Sequence, residues 1–250
     1  GTIEGQDQFN FAIEVDDLAI LALDARSERT QKQVIHPKTW DAIWRWTDNL
    51  TNASDGGPKH LLLVAPVPVV HADFGSIESL LNFFPGDQEL EDDLRDHWQS
   101  GPHEKERLHL IHRLFFLMES KNIRTTILSG DVHVAGVGII ETTRTGAPGS
   151  RAQVINQLTS SAIVHPPPTA LMSFVLEHLA SEQEPVDLNI TASMINFPGK
   201  RQKFVLSRNF LSLEPDEQGR IWANWYLEED LASASTKVIN PITLATLNAQ

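Results

Sequence analysis

Gly130-Asp131-Val132-His133 combines residue types and spacing that could do chemistry. An aspartate and a histidine two apart, on a loop leaving a buried strand, can aim an oxygen and an imidazole nitrogen at one cation. The glycine before them lets the backbone turn tightly. The same four residues also read as an ordinary strand-end turn in which Asp131 caps backbone amides and His133 is packed or solvated. The chain has no cysteine, which excludes thiolate metal sites, disulfide frameworks and cysteine nucleophiles. Any metal ligand must therefore be His, Asp, Glu or Asn. Ser160-Ser161 lacks the Gly-x-Ser-x-Gly elbow of a serine hydrolase. His109, His112 and His165 have no partner that spacing identifies and read as structural or exposed.

These residues must be held by regular elements. Leu18 to Asp24 is a short apolar run closed by a charge, the pattern of a strand covered on both faces, with Asp24, Arg26 and Arg29 on the loop beyond it. Pro37 starts a helix carrying Trp40, Ile43, Trp44 and Leu50, and Asn52 to Pro58 stops it. His60 to Val67 is a second strand, ended by Pro66 and Pro68. Residues 71–101 form a long excursion whose stretch from Leu90 to Trp98 is acidic. From His103 to Ser120, Leu108, Ile111, Phe115 and Met118 recur at helical intervals, predicting a helix that covers one face of the sheet. Arg124 to Ser129 and Val134 to Ile140 are strands that flank the Asp131–His133 motif. Val154 to Ile163 is a further strand, broken by Pro166-Pro167-Pro168, and a helix follows from Thr169 to Ala180. Lys203 to Leu213 and Arg220 to Leu227, around a 215–219 turn, predict a C-terminal hairpin. The fold class is α/β (α+β). Residues 1–250 read as one domain with a core over 18–165 and a C-terminal helix and hairpin over 166–250.

At 250 residues the chain is long enough to bury a core without staples. Its 20 Lys+Arg against 33 Asp+Glu give a formal charge of -13, which repels phosphate backbones and excludes non-specific nucleic-acid binding. No apolar run reaches the roughly 18 residues of a membrane helix, so no membrane span is expected. Residues 1–6 have neither the basic start nor the apolar centre of a signal peptide.

Taken together, Leu23-Asp24-Ala25-Arg26-Ser27-Glu28-Arg29-Thr30, the Asp92 to Trp98 cluster, His103 with Glu106-Arg107, and Ile127 to His133 resemble PhoD-like phosphatases in order and approximate spacing. Gln157-Leu158-Thr159-Ser160-Ser161 and the Asn209 to Tyr226 stretch add weaker support. The resemblance implies part of a calcineurin-like phosphoesterase fold, a sandwich of two sheets flanked by helices. It implies that Asp131 and His133 match a late Gly-Asp-x-His metal motif, and that a metal-bound hydroxide hydrolyses phosphate mono- or diesters. Manganese, iron, zinc or calcium would suit such ligands. Arg26 and Arg29 become candidates for gripping phosphate oxygens, with ordinary ion pairs to Asp24, Glu28 or the acidic cluster as the alternative. Asp96 and His97 become candidates for orienting groups or for proton transfer to the leaving group, the alternative being a solvated acidic face. His71 stands where such enzymes place another histidine ligand, at a longer spacing than their motif allows.

PhoD-like enzymes also carry metal ligands in segments before the strand that matches Leu18 to Asp24, and only 17 residues precede it here. The expectation is a chain supplying part of the site, either as a fragment or together with an N-terminal half or another chain. The alternative is a non-catalytic binding or assembly module built on a phosphatase scaffold.

Overall fold

The computed structural model of the chain describes residues 3, 9–71, 98, 103–143, 154–166, 176–177, 180 and 183–242. Among them, β1 (Phe11–Val15) and β2 (Leu18–Ala22) form an antiparallel hairpin. Helix α1 (Pro37–Asp48) follows, then β3 (His60–Ala65), helix α2 (Glu104–Lys121) and β4 (Arg124–Gly130). β5 (Ala135–Thr142), β6 (Val154–Ser160), β7 (Glu184–Asp187), β8 (Ile190–Ile195) and β9 (Phe204–Val205) complete a sheet that is nine-stranded in the described residues. Its order is β1-β2-β3-β4-β6-β5-β8-β7, with β9 also paired to β5. β10 (Asn209–Pro215), β11 (Ile221–Leu227) and β12 (Asp230–Ile239) make a separate antiparallel sheet.

The large sheet divides the core in two. Side chains of a strand alternate between its faces, so Leu61 and Leu63 join Leu21, Ile127, Trp40, Ile43, Leu110 and Ile111 on the helix side. Leu62 points the other way, against Val137, Leu158 and the Trp225, Ile221 and Phe197 side chains. Central strands buried on both faces need unbroken apolar runs, and Leu61-Leu62-Leu63 is one. α1 forms because Pro37 is pre-set for the first turn and the His36 side chain accepts from the Lys38 amide. Trp40 and Trp44, one turn apart, stack at 4.9 Å, and Trp44 meets His109 of α2 edge-on at 5.8 Å. α2 ends at Asn122, whose positive φ of 56° suits an asparagine C-cap. The result is a mixed α/β sandwich, with helices over one face of the large sheet and the three-stranded sheet over the other.

β2, β3, β4 and β6 run parallel, so their carboxyl ends, and the loops beyond them, lie along one edge. Ligand sites gather at such edges.

Several expectations need correction. Lys203 to Leu213 is not one hairpin arm: Phe204–Val205 pairs with β5, and only Asn209–Pro215 pairs with β11. The arm from Arg220 onward does form a hairpin with it, and a third strand, β12, extends that sheet. β2 is not covered on both faces throughout. Its Leu18, Ile20 and Ala22 are half-buried, and Phe11, Ile13 and Val15 opposite them on β1 are exposed. Strands before residue 18 and after residue 165 also belong to the large sheet. The acidic stretch from Leu90, except buried Trp98, and most of the helix expected over Thr169 to Ala180 lie outside the described residues.

Candidate functional site

At the end of β4 the chain leaves the sheet through Gly130, and Asp131 turns its carboxylate back onto the loop. Its Oδ1 accepts from the backbone amides of His133, at 2.7 Å, and Val134, at 2.9 Å. Its Oδ2 accepts from His71 Nε2 at 3.2 Å. Burial alone would push this carboxyl up, yet the hydrogen bond and charge of His71 and the two amides hold its pKa down to about 2. Asp131 is thus an ionised carboxylate in a largely dry position. The capping role expected of an ordinary strand-end turn is present, and a histidine contact accompanies it.

His71 reaches this position from the end of β3. Pro66 and Pro68 break regular pairing, and the chain runs on through buried Val69 and Val70 to His71, which is 8% exposed and leans on the Phe204 ring. Spacing argued against His71 as a ligand, and the structure brings it to Asp131. The ring of His133 lies edge-on to that of His165 at 5.3 Å, so His165, which spacing left without a partner, also stands beside the motif. Its Nδ1 donates to the Pro166 carbonyl.

Beyond β2, Asp24 organises its own loop. Oδ1 accepts from the amides of Arg26 and Ser27, and Oδ2 accepts from that of Phe9. Burial raises its pKa, but hydrogen bonds from Ser27, Phe9 and Arg26 outweigh that and lower it to about 2. Arg26 is exposed. Arg29 Nη2 donates to His103 Nδ1 at 3.3 Å, while His103 Nε2 donates to the Thr30 carbonyl. Arg29 is therefore held against the His103 ring, which the Thr30 carbonyl anchors in turn. Glu28 accepts from the His36 amide and the Thr39 hydroxyl, and Glu106 from the amides of Val34 and Ile35 and from Trp40 Nε1. These two glutamates hold the 26–36 loop against both helices. Asp96 and His97 lie outside the described residues.

Two ligands bound in neighbouring positions at about 2.1 Å from one metal stand about 3 Å from each other. Asp131 Oδ2 and His71 Nε2, at 3.2 Å, have that spacing and the right atom types. Among the described residues no group of three or more His, Asp or Glu could hold a metal ion. The residues present thus fit part of a coordination sphere.

Neither His71's partner nor the groups that hold it could be read from spacing. Gln157, near the end of β6, and Arg107, on α2, bond the backbone beside His71 across the fold. Their only sequence signal was their place in the segments that resembled PhoD-like enzymes.

Comparison with known proteins agrees with that resemblance. Residues 75–189 match the family described as PhoD related phosphatase. The uncharacterized protein YGR266W of Saccharomyces cerevisiae is 29% identical over 248 aligned residues, covering 80% of this chain. The chain spans 35% of the length of that relative. The solved structure of PhoD is similar with a TM-score of 0.49 and 11% identity, over 93% of this chain and 41% of that one. Purple acid phosphatase PPD1 from yellow lupin (Lupinus luteus) seeds is similar with a TM-score of 0.45 and 10% identity, over 95% of this chain and 33% of that one.

Proposed function

We propose that this chain, PhoD-like over residues 75–189, supplies part of a metal site that hydrolyses phosphate mono- or diesters. The observation that carries this reading is the contact between the Asp131 carboxylate and His71 Nε2, 3.2 Å apart at the carboxyl edge of the parallel strands. Asp131, His71 and His133 are the ligands assigned to this chain, and further ligands would come from another polypeptide segment or chain. A bound cation would activate water as the nucleophile and neutralise charge on the phosphoryl oxygens. Oxygen and imidazole donors suit manganese, iron, zinc or calcium.

The protein's own groups do the rest. The buried surroundings of Asp131 exclude water and keep its charge effective, because Coulomb interactions strengthen as the local dielectric falls. Arg26 and Arg29, on the loop beyond β2 at the same edge, are assigned to grip phosphoryl oxygens with paired guanidinium donors. His103 and Thr30 fix the direction of Arg29 before substrate arrives, which lowers the ordering cost of binding. Asp96 and His97 are assigned to orientation or to protonation of the leaving group.

A second reading, a non-catalytic binding or assembly module, draws on a different observation. Both Asp131 oxygens already have partners within the chain, and two ligands leave most of a cation's sphere to water. Turnover separates the two. Hydrolysis of p-nitrophenyl phosphate and of bis(p-nitrophenyl) phosphate would be followed with and without Mn²⁺, Zn²⁺, Fe³⁺ and Ca²⁺, for the chain and for His133→Ala. Metal-dependent turnover that falls by about 100-fold or more in the variant is expected where the chain rebuilds a site by itself or by self-association; a folded chain that is inert under every cation and also takes up none of them by titration calorimetry would establish the second reading.

A further inference from the structure

Val69 and Val70 are buried, at 0% and 1% exposure, between two prolines behind them and His71 ahead. Buried backbone that has left a sheet still needs partners for every N–H and C=O. Strand β6, which carries Gln157, is separated from β3 by β4, so no ladder can reach this segment from it. The Gln157 side chain does so instead. Its Oε1 accepts from the amides of Val69, at 2.7 Å, and Val70, at 2.8 Å, and its Nε2 donates to the Val70 carbonyl. The remaining group, the Val69 carbonyl, accepts from Arg107 Nε at 2.8 Å. Arg107 is fixed in turn by a two-pronged pair with Glu184 of β7, at 2.6 and 2.8 Å. All four backbone polar groups of Val69 and Val70 are thus satisfied by two side chains.

From the other side, β5 closes on Val70. A Cβ built on Gly138 would stand 3.1 Å from the Val70 side chain, so Gly138 leaves room for this segment and little more. Three elements, α2, β5 and β6, therefore converge on two residues whose next neighbour is His71, with β7 behind them through the Arg107–Glu184 pair.

We infer that Gln157, backed by Arg107 and Glu184, is a positioning residue: it clamps Val69 and Val70 so that His71 Nε2 is held against Asp131. The consequence for metal binding rests on the function proposed above; the clamp does not. An amide suits this task because it is both donor and acceptor and stays neutral at every pH. A carboxylate could keep the two amide contacts but would face the Val70 carbonyl without a proton to offer.

The test reads the His71 ring directly, by long-range ¹⁵N–¹H NMR of the cation-free chain, and separately the affinity for Mn²⁺ and Zn²⁺ by titration calorimetry. Wild-type His71 is expected to show one locked Nε2–H tautomer. Gln157→Ala should average that signal toward a solvated imidazole and weaken cation affinity by about 10- to 100-fold, the usual cost of losing a supporting partner. Gln157→Glu should fall between. Should Gln157→Ala not fold, Glu184→Gln loosens the same clamp more gently and should move the His71 signals in the same direction. A folded Gln157→Ala with an unchanged His71 ring overturns the inference. A wild-type ring that is locked and then freed by Gln157→Ala, in a chain that binds neither cation, upholds the clamp and removes the metal reading.

Discussion

Asp24 and Asp131 end two of the parallel strands, β2 and β4, and each spends its oxygens on backbone amides. They differ in what else they hold: Asp131 takes on a histidine, whereas the Asp24 oxygens serve the amides of its own loop and of Phe9. The lowered carboxyl pKa of Asp24 makes a prediction. Its folded value, about 2, lies below the ordinary carboxylate range, so its contribution is complete above the unfolded pKa and is lost as pH falls from about 4 toward 2. Asp24→Asn, which keeps an acceptor for Arg26 and Ser27 but gives up the Phe9 amide, should lower stability near neutrality. It should also shallow the acid limb of the curve, measured by urea unfolding at stepped pH; an acid limb as steep as wild type would refute this. The Asp131 and His133 motif was legible because both residues sit together in sequence. Gln157 was not, because its bonds span 87 and 88 residues and obey no spacing rule.

The loop between β2 and α1 depends on a helix that comes much later in the chain. Glu106 of α2 accepts from the amides of Val34 and Ile35 and from the Trp40 indole. Glu106→Ala strands three donors and should cost about 2–3 kcal/mol, seen as a lower urea midpoint and as new protease cleavage between residues 26 and 36. Unchanged cleavage would mean the loop is held elsewhere. Both helices were legible: Pro37 marks one start, and apolar residues recur at helical spacing in each. The central strands were legible from their unbroken apolar runs. β7 and β12 were not. Glu184-Pro185-Val186-Asp187 carries a proline and two charges, and residues 230–236 are polar apart from Leu231 and the alanines, so neither shows the alternation that marks a half-buried strand.

Across the whole molecule, side-chain hydrogen bonds among the described residues fasten the two sheets. Trp225 Nε1 donates to the Thr159 carbonyl, Ser160 Oγ to Asn209 Oδ1, and His60 Nε2 to the Gly219 carbonyl. The layered architecture was legible as a class from mixed helices and strands, but how the C-terminal strands divide between two sheets was not, since pairing partners such as Phe204 and Gly136 lie far apart in sequence. The three-stranded sheet covers only part of its face. Phe11, Ile13 and Val15 on β1 continue the apolar surface past Leu18 and Ile20, and Val64 of β3 is also exposed on that side. This uncovered stripe bears on how the chain reaches its fold. Parallel neighbours such as β4 and β6 pair late, because a long loop must close before any contact repays it. Meanwhile an apolar edge strand stands open to other copies. Refolding should therefore lose yield as chain concentration rises, and Phe11→Lys with Ile13→Lys should remove that dependence, followed by light scattering after dilution from urea. A yield equally sensitive to concentration in the double variant would place the competing association elsewhere. If the dependence disappears, the same stripe that leaves the native sheet half-dressed also sets a race between folding and clumping, and dilution decides the winner.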